Sequence, residues 1–397
     1  MLTISKQQLC SAQSTVAAGS RKRSPVQWQQ TILFESTGTH VTLATGSMSG
    51  FVWSTFECEG PAFRVAVDAG DLSALCSATR ASEFRVSQKG NKLVFDGDTG
   101  RLALSCFPTL PEASEGWPAL PQSDGEPHYT IKAGDLAYAI KAPAPAIDES
   151  SDKYSLGSVY IVGSADGVKS YATNGKVAVR VEAENVWLGN EPLDTLIPSA
   201  GVAILSAMLR GVATDQTVSV SRSGNSVIFD AGTATAHVTE ESGRFPAIEK
   251  LLNEKSRLNP LATFSVEVSE IRSALRECII GYDAAAEFGS TVLLACNGTS
   301  VRLLSNAHSD NDMNVSVESE ASGEGGAILV DHAFVAKMCG SAGTDRVAMR
   351  LLEVGDAAAL LITSDAGFTA LAMGCTLGDA NEKRVAGAWA GQQAMLV

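Results

Sequence analysis

Three stretches of this 397-residue chain open in the same way. Leu2-Thr3-Ile4-Ser5-Lys6-Gln7-Gln8-Leu9, Tyr129-Thr130-Ile131-Lys132-Ala133-Gly134-Asp135-Leu136 and Phe264-Ser265-Val266-Glu267-Val268-Ser269-Glu270-Ile271 each read as a short alternating strand, a polar turn and the start of a helix. Internal repetition constrains a fold more than composition does, because each copy must be one structural unit. A second pattern recurs midway through each copy. Val67, Leu72 and Leu75 correspond to Ile197, Val202 and Leu205 and to Val330, Val335 and Met338, a strand residue followed by apolar residues at helical spacing. A third pattern aligns Val86-Ser87-Gln88-Lys89-Gly90-Asn91-Lys92-Leu93-Val94-Phe95-Asp96 with Val220-Ser221-Arg222-Ser223-Gly224-Asn225-Ser226-Val227-Ile228-Phe229-Asp230. Both read as strand, Gly-Asn turn, strand. The third copy, Val347 to Leu351 and Ala359 to Ile362, has diverged in sequence but keeps the shape.

Each copy therefore predicts two helices, each followed by several strands. The fold class is α+β: three tandem similar domains, each with two helices packed on antiparallel sheets. A single core rarely grows past about 250–300 residues, so a chain of this length should divide. Pro108 to Pro127 is rich in Pro, Glu, Ser and Gly, and Lys255-Ser256-Arg257-Leu258-Asn259-Pro260 is a polar joint. The expected domains are 1–127, 128–258 and 259–383, with a C-terminal extension over 384–397.

Catalytic chemistry finds little support. The five histidines lack H-x-x-x-H and H-E-x-x-H spacing. His332 follows Asp331 at a helix start, where capping is expected. The eight cysteines form no C-x-x-C pair, and most sit in apolar runs, so reduced buried thiols are expected and a zinc site is not. No nucleophile elbow, phosphate loop or dinucleotide fingerprint occurs. Gly323-Glu324-Gly325-Gly326 leads into a strand rather than a helix and reads as a flexible loop. Asp148-Glu149 and Asp310-Asn311-Asp312 read as solvated loops. The expectation is a non-enzymatic protein without metal or cofactor. Apolar residues make up 45% and charged residues 19%, no apolar run reaches the roughly 18 residues of a membrane span, and the N-terminus lacks a signal-peptide pattern, so a cytoplasmic location is expected.

The formal net charge is −14, which taken alone argues against a nucleic-acid partner. The distribution of charge argues the other way. Lys141 ends the first helix of the second copy, and Arg272 and Arg276 lie one turn apart on the matching helix of the third. Arg80, Arg210 and Lys337 lie on or just after the second helices, and Arg21-Lys22-Arg23 follows the first helix of the chain. Acidic residues fall instead in strands and loops, among them Glu57, Glu59, Asp96, Asp98, Glu182, Glu184, Glu318 and Glu320. Helices facing inward would line a positive surface suited to phosphate contacts without base readout.

Two further runs carry a family resemblance. Tyr171-Ala172-Thr173-Asn174-Gly175-Lys176-Val177-Ala178-Val179 resembles the A-T-D-G-H-R-L-A-V of the bacterial sliding clamps, the beta subunits of DNA polymerase III, and Ser242-Gly243-Arg244-Phe245-Pro246 is similar to their D-G-R-F-P. Leu196-Ile197-Pro198 and Arg101-Leu102-Ala103-Leu104-Ser105 fall where the family has similar runs. The resemblance extends to about Leu377. It implies a processivity factor: two subunits joined head to tail, six domains in a closed ring around duplex DNA, helices lining the hole. The partners implied are sequence-independent duplex DNA, the polymerase III catalytic subunit, the clamp loader and other proteins bearing a clamp-binding peptide.

By the same resemblance the partner-peptide pocket falls on Leu156, Thr173, Gly175, Lys176, Val177, Pro246, Ile248, Lys250, Leu251, Leu371 and Met373. The dimer contact falls on Leu102 and Leu104 of one subunit and Ile279 and Ile280 of the other. DNA contacts fall on Arg23, Lys153 and Tyr154. The sequence departs from the family in several places. Its His-Arg-Leu is represented by Lys176-Val177, one residue shorter; its C-terminal Met-Pro-Met-Arg-Leu is Met373-Gly374-Cys375-Thr376-Leu377; the Tyr after Pro-Asp is Ile248; and a basic pair is Ser199-Ala200. Past Leu377 the chain continues through a polar stretch to Gln392-Gln393-Ala394-Met395-Leu396-Val397, and residues 392–396 resemble the partner peptides that clamps bind. A different reading of the same repeats is a triplicated scaffold or phage structural protein that uses the fold without encircling DNA.

Overall fold

The structure, a computed structural model, describes residues 1–21, 23–107, 117–121, 126–151, 154–164, 167–183, 186–188, 192–279, 291–296, 300–305, 314–355 and 357–375. Among these lie seven α-helices: α1 (Lys6–Val16), α2 (Ala69–Ala78), α3 (Ala133–Lys141), α4 (Ser199–Arg210), α5 (Ile248–Ser256), α6 (Val268–Glu277) and α7 (His332–Ser341). The order strand, helix, several strands, helix, three strands recurs three times along the chain, with α5 between the second and third rounds.

The expected polar turn between opening strand and helix is absent. Leu2–Ser5, Tyr129–Lys132 and Ala262–Glu267 each run directly into α1, α3 and α6. The polar residues cap instead of turning. Ser5 accepts a hydrogen bond from the Gln8 amide at 3.1 Å while the Gln8 side chain returns to the Ser5 amide, a reciprocal capping box. Asp68 caps α2 through Gly70 and Asp71, and Asp331, rather than His332, caps α7 through Ala333 and Phe334.

The hairpins follow the sequence signal. Lys89 pairs with Lys92 and Ser223 with Ser226, leaving two-residue loops at Gly90-Asn91 and Gly224-Asn225. Both glycines have φ of 59°, the positive first position that a type II′ turn requires. In the third round Val354 pairs with Ala357, so the loop there starts at Gly355. The run 323–326 is no free loop: Gly323 ends one strand and Gly326 starts the next, and the Glu324 and Gly325 amides both donate to the Leu261 carbonyl.

The chain divides into two compact units. The first comprises Met1–Ile140, Ile161–Val168 and Glu184–Gly243. Its strands form one continuous sheet that passes from Leu2–Ser5 through Gly100–Phe107 and Gly50–Glu57 to Ala234–Thr239 and on to Tyr129–Lys132. The join is Val52 opposite Ala236. Helix α1 packs against both α2 and α4. On another part of this sheet, Leu33, Ala44 and Ala66 are covered by Trp117, which is wholly buried and donates its indole N–H to Thr31 Oγ1 at 2.8 Å.

The second unit comprises Lys141–Tyr160, Lys169–Ala183 and Arg244–Val397. In it Val177–Ala183 pairs with Phe368–Met373, followed by Ala357–Ser364, Arg346–Val354, Ala262–Glu267 and Ser319–Gly323. A separate four-stranded sheet holds Thr291–Cys296 and Gly326–Asp331. Helices α6 and α7 pack on each other. Cys76, Cys278, Cys296 and Cys339 are buried thiols as expected, whereas Cys10, Cys58, Cys106 and Cys375 are only half-buried. No helix among the described residues is long and apolar enough to cross a membrane.

Candidate functional site

Four pieces of chain meet around one cavity of about 270 Å³ in the second unit. Ser155 and Leu156 come from the 3-10 helix Tyr154–Gly157, and Thr173, Gly175, Lys176, Val177 and Ala178 from a tight turn and its flanking strands. Pro246, Ile248 and Leu251 come from the start of α5, and Leu371 and Met373 from the strand Phe368–Met373.

The turn is built by its own side chains. The Thr173 hydroxyl donates to the Val177 carbonyl at 2.7 Å and accepts from the Gly175 amide at 3.1 Å. Asn174 Oδ1 accepts from the amides of Lys176 at 3.0 Å and Val177 at 2.8 Å. This is local turn chemistry of the kind Thr and Asn favour, and Gly175 at φ 85° supplies the left-handed residue it needs. The turn is tied to the neighbouring strand: the Met373 amide donates to the Lys176 carbonyl at 3.0 Å, and Ala178 faces Leu371 in register.

Helix α5 is set against these strands by aromatic and ionic contacts. Phe245 stacks on Tyr160 with centroids 5.0 Å apart, and Tyr171 lies beside both. Lys169 reaches Glu249 at 3.0 Å and Glu182 at 3.8 Å, and Arg180 forms an ion pair with Glu182 at 3.3 Å and donates a hydrogen bond to Asn253 Oδ1 at 2.8 Å. The Lys169 hydrogen bond is the main reason the Glu249 carboxyl sits below its ordinary range. Burial, then the neighbouring Glu249 charge, pushes the Tyr171 hydroxyl well up.

The cavity walls are largely apolar, with a polar rim at Ser155 and the turn, an arrangement suited to seating a short peptide anchor. All the expected pocket residues except Lys250 line it. Lys250 is exposed and pairs weakly with Glu254 at 3.9 Å. Ser155 and Ala178 were not expected. Their neighbours Leu156 and Val177 were the available signal.

The other expected residues scatter more widely. Leu102 is 40% exposed, while Leu104 is 5% exposed and packs within the chain. Both line a cavity of about 570 Å³ between α2 and the strand Gly100–Phe107. That strand pairs with Lys92–Gly97 along its length, but among the described residues its other edge is paired only at Cys106 and Phe107. Ile279 follows α6 and is half-buried; Ile280 lies outside the described residues.

Of the expected DNA contacts, Arg21, Arg23, Arg80, Lys141, Arg210, Arg276 and Lys337 are exposed. Arg21 bonds the Ser49 hydroxyl at 3.1 Å, and Lys337 lies over the Phe334 ring. Arg272 differs: half-buried, its guanidinium covers Gly340 of α7 closely enough that a side chain there would have to push it aside by a few tenths of an ångström. Tyr154 opens its 3-10 helix, and Lys22 and Lys153 lie outside the described residues. Arg210 and Arg276 stand in the last turns of α4 and α6 and Lys141 in that of α3, favourable positions for cations at the helix dipole. The exposed positions of α1, Gln7, Gln8, Ser11 and Ser14, and of α2, Gly70, Asp71, Ala74, Ser77 and Ala78, carry no positive charge.

No protein-family model and no curated protein sequence matches the chain. Solved structures do. The DNA polymerase III subunit beta of Pseudomonas aeruginosa superposes with a TM-score of 0.79 at 17% identity, over 95% of this chain and 100% of that one. The beta subunit of Thermotoga maritima gives 0.81 at 15% identity over 95% and 100%. The Helicobacter pylori beta clamp bound to a DNA ligase peptide gives 0.75 at 18% identity over 95% and 100%. The chain has the fold of the DNA polymerase III beta sliding clamps.

Proposed function

We propose that the protein is a sliding clamp: a non-catalytic, cytoplasmic processivity factor that closes around duplex DNA as a homodimer and tethers a replicative polymerase. The observation that carries the reading is the clamp fold over 95% of the chain, combined with a cavity that gathers separate expected residues into one apolar site. The recurring element order supports three clamp domains, 1–127, 128–258 and 259–383. The peptide on the H. pylori clamp supports reading the cavity as a docking site for short peptides of a polymerase III catalytic subunit, a clamp loader and related proteins. The open edge of Gly100–Phe107 with exposed Leu102 supports a subunit contact there, completed by Ile279 and Ile280 of a second copy. Arg21, Arg23, Arg80, Lys141, Arg210, Arg276 and Lys337, with Lys22, Lys153, Tyr154 and the partly engaged Arg272, form the proposed phosphate-contacting set. Loose, salt-sensitive contacts suit sliding, and the tether acts by effective concentration rather than chemistry.

A clamp-fold scaffold that does not encircle DNA is the second reading, favoured by the absence of positive charge from the exposed faces of α1 and α2. Solution mass separates the subunit arrangement first. Sedimentation should give twice the chain mass, and a monomer at micromolar concentration would overturn the two-subunit ring.

A further inference from the structure

The chain is held by backbone hydrogen bonds up to Cys375. The Gly374 amide donates to the Ala358 carbonyl at 2.8 Å and the Cys375 amide to the Leu329 carbonyl at 2.8 Å. Two residues earlier, Met373 already lines the cavity of the second unit. With at most about 3.6 Å per residue, the remaining chain starts within roughly 11 Å of the Met373 backbone. That cavity leaves apolar surface in water: Leu251 is 36% exposed, and Leu156 and Met373 are half-buried.

Residues 376–397 lie outside the described part, so their sequence carries the argument. Gly378-Asp379-Ala380-Asn381-Glu382-Lys383-Arg384 is polar and starts with a glycine, a composition that ties without packing. The end places three bulky apolar residues together, Met395-Leu396-Val397, directly after Gln392-Gln393-Ala394. A hydrophobic triplet on a polar tether lowers its free energy by finding an apolar recess, and the recess by the tether's root is the most accessible one.

We infer that Gln392-Gln393-Ala394-Met395-Leu396 is an intramolecular ligand of this cavity. Met395 and Leu396 enter between Leu156, Ile248, Leu251 and Met373, and the glutamine amides stay at the polar rim. The inference rests on the reading of the cavity as a peptide site. The tether of residues 376–391 spans about 20–24 Å on average, longer than the gap it must bridge. It holds the ligand at an effective concentration of about 1 mM, so a segment with an intrinsic Kd of about 100 µM would occupy its own site roughly nine-tenths of the time. An incoming partner must displace it, and only partners that bind well gain the site.

The test uses a fluorescent synthetic peptide of residues 388–397, titrated by anisotropy into the full chain and into a chain ending at Arg384. The expected result is binding to the shortened chain with about tenfold weaker binding to the full one. Full-length protein carrying Met395→Ser with Leu396→Ser should behave like the shortened chain, and Leu251→Ala in the shortened chain should weaken the peptide. Equal affinity for full and shortened chains overturns self-occupancy and leaves the peptide site intact. No binding to the shortened chain, or binding indifferent to Leu251→Ala, overturns the tail as a ligand of this cavity. Retention on circular DNA, measured separately, still decides whether the protein is a clamp.

Discussion

Lys169 Nζ lies 3.0 Å from Glu249 Oε1, and this pair joins a strand flanking the cavity turn to the first turn of α5, the helix that supplies Ile248 and Leu251 to the wall. Lys169 is shared with Glu182, and the Glu249 charge acts on the nearby Tyr171 hydroxyl. The network is partly exposed, with Glu249 at 49%, so its worth lies in orientation more than in stability.

Glu249→Gln should lower stability by only about 0.5 kcal/mol at neutral pH, because a half-exposed pair is screened. The Glu249 pKa is lowered in the folded state, so its contribution is fully present above the ordinary glutamate range and is lost as pH falls through the lowered value. Urea denaturation should therefore show the wild type and the variant converging in acid. Peptide affinity should fall more than stability does, and the exchange Lys169→Glu with Glu249→Lys should restore part of it. A variant whose deficit grows toward low pH would contradict this assignment.

Leu251→Ala and Met373→Ala should each weaken a bound partner peptide by about five- to twentyfold, since each removes apolar area from the seat. Leu251 is exposed enough that its truncation should leave the melting temperature nearly unchanged. Calorimetry with a synthetic clamp-binding peptide reads the first effect and thermal denaturation the second. Unchanged affinity in both variants would remove the cavity as the site.

Leu102 and Leu104 should separate association from folding. Leu102→Asp, on the open strand edge, should give a folded monomer. Leu104→Asp places a charge at a side chain that is 5% exposed and should destabilise the subunit by several kcal/mol, about 3 or more. Sedimentation and thermal melts on the two variants distinguish these outcomes.

Trp117→Ala should cost about 3–5 kcal/mol, the usual range for emptying a large aromatic site. Trp117→Phe should cost less. Pairing it with Thr31→Val should recover part of that loss, since the Thr31 hydroxyl then leaves no unpaired acceptor in the core. Additive losses in the double variant would show that the indole hydrogen bond contributes little.

The features legible in the sequence were those set by short-range chemistry. Gly90-Asn91 and Gly224-Asn225 announce hairpins because the left-handed first position of their turn favours glycine, and Gly355 plays that part in the third round, where the flanking residues had diverged. The capping side chain of Ser5 was visible as a polar residue beside an apolar period, yet it read as part of a turn because a strand that runs straight into a helix looks the same over so few positions. Leu102 and Leu104 lie on one face of one strand by alternation, but how far a neighbouring helix covers that face is a long-range matter. The same limit explains Arg272 and Arg276: one turn apart on α6, only the first is spent on packing over Gly340. Lys250 sits beside the cavity-lining Leu251 in sequence, and the rotation of α5 alone turns it to solvent.

The most direct measurement of the central claim is retention on circular DNA. Dimers re-formed from monomers in the presence of a nicked circular duplex should co-elute with the circle in gel filtration at a salt concentration that abolishes phosphate contacts, and should be released when a restriction enzyme linearises it. Charge reversal at Arg23, Arg210 and Arg276 should weaken low-salt association and its salt slope without abolishing topological retention. Binding that is equal on linear and circular DNA, or that vanishes from both as salt rises, would contradict a ring that encloses the duplex.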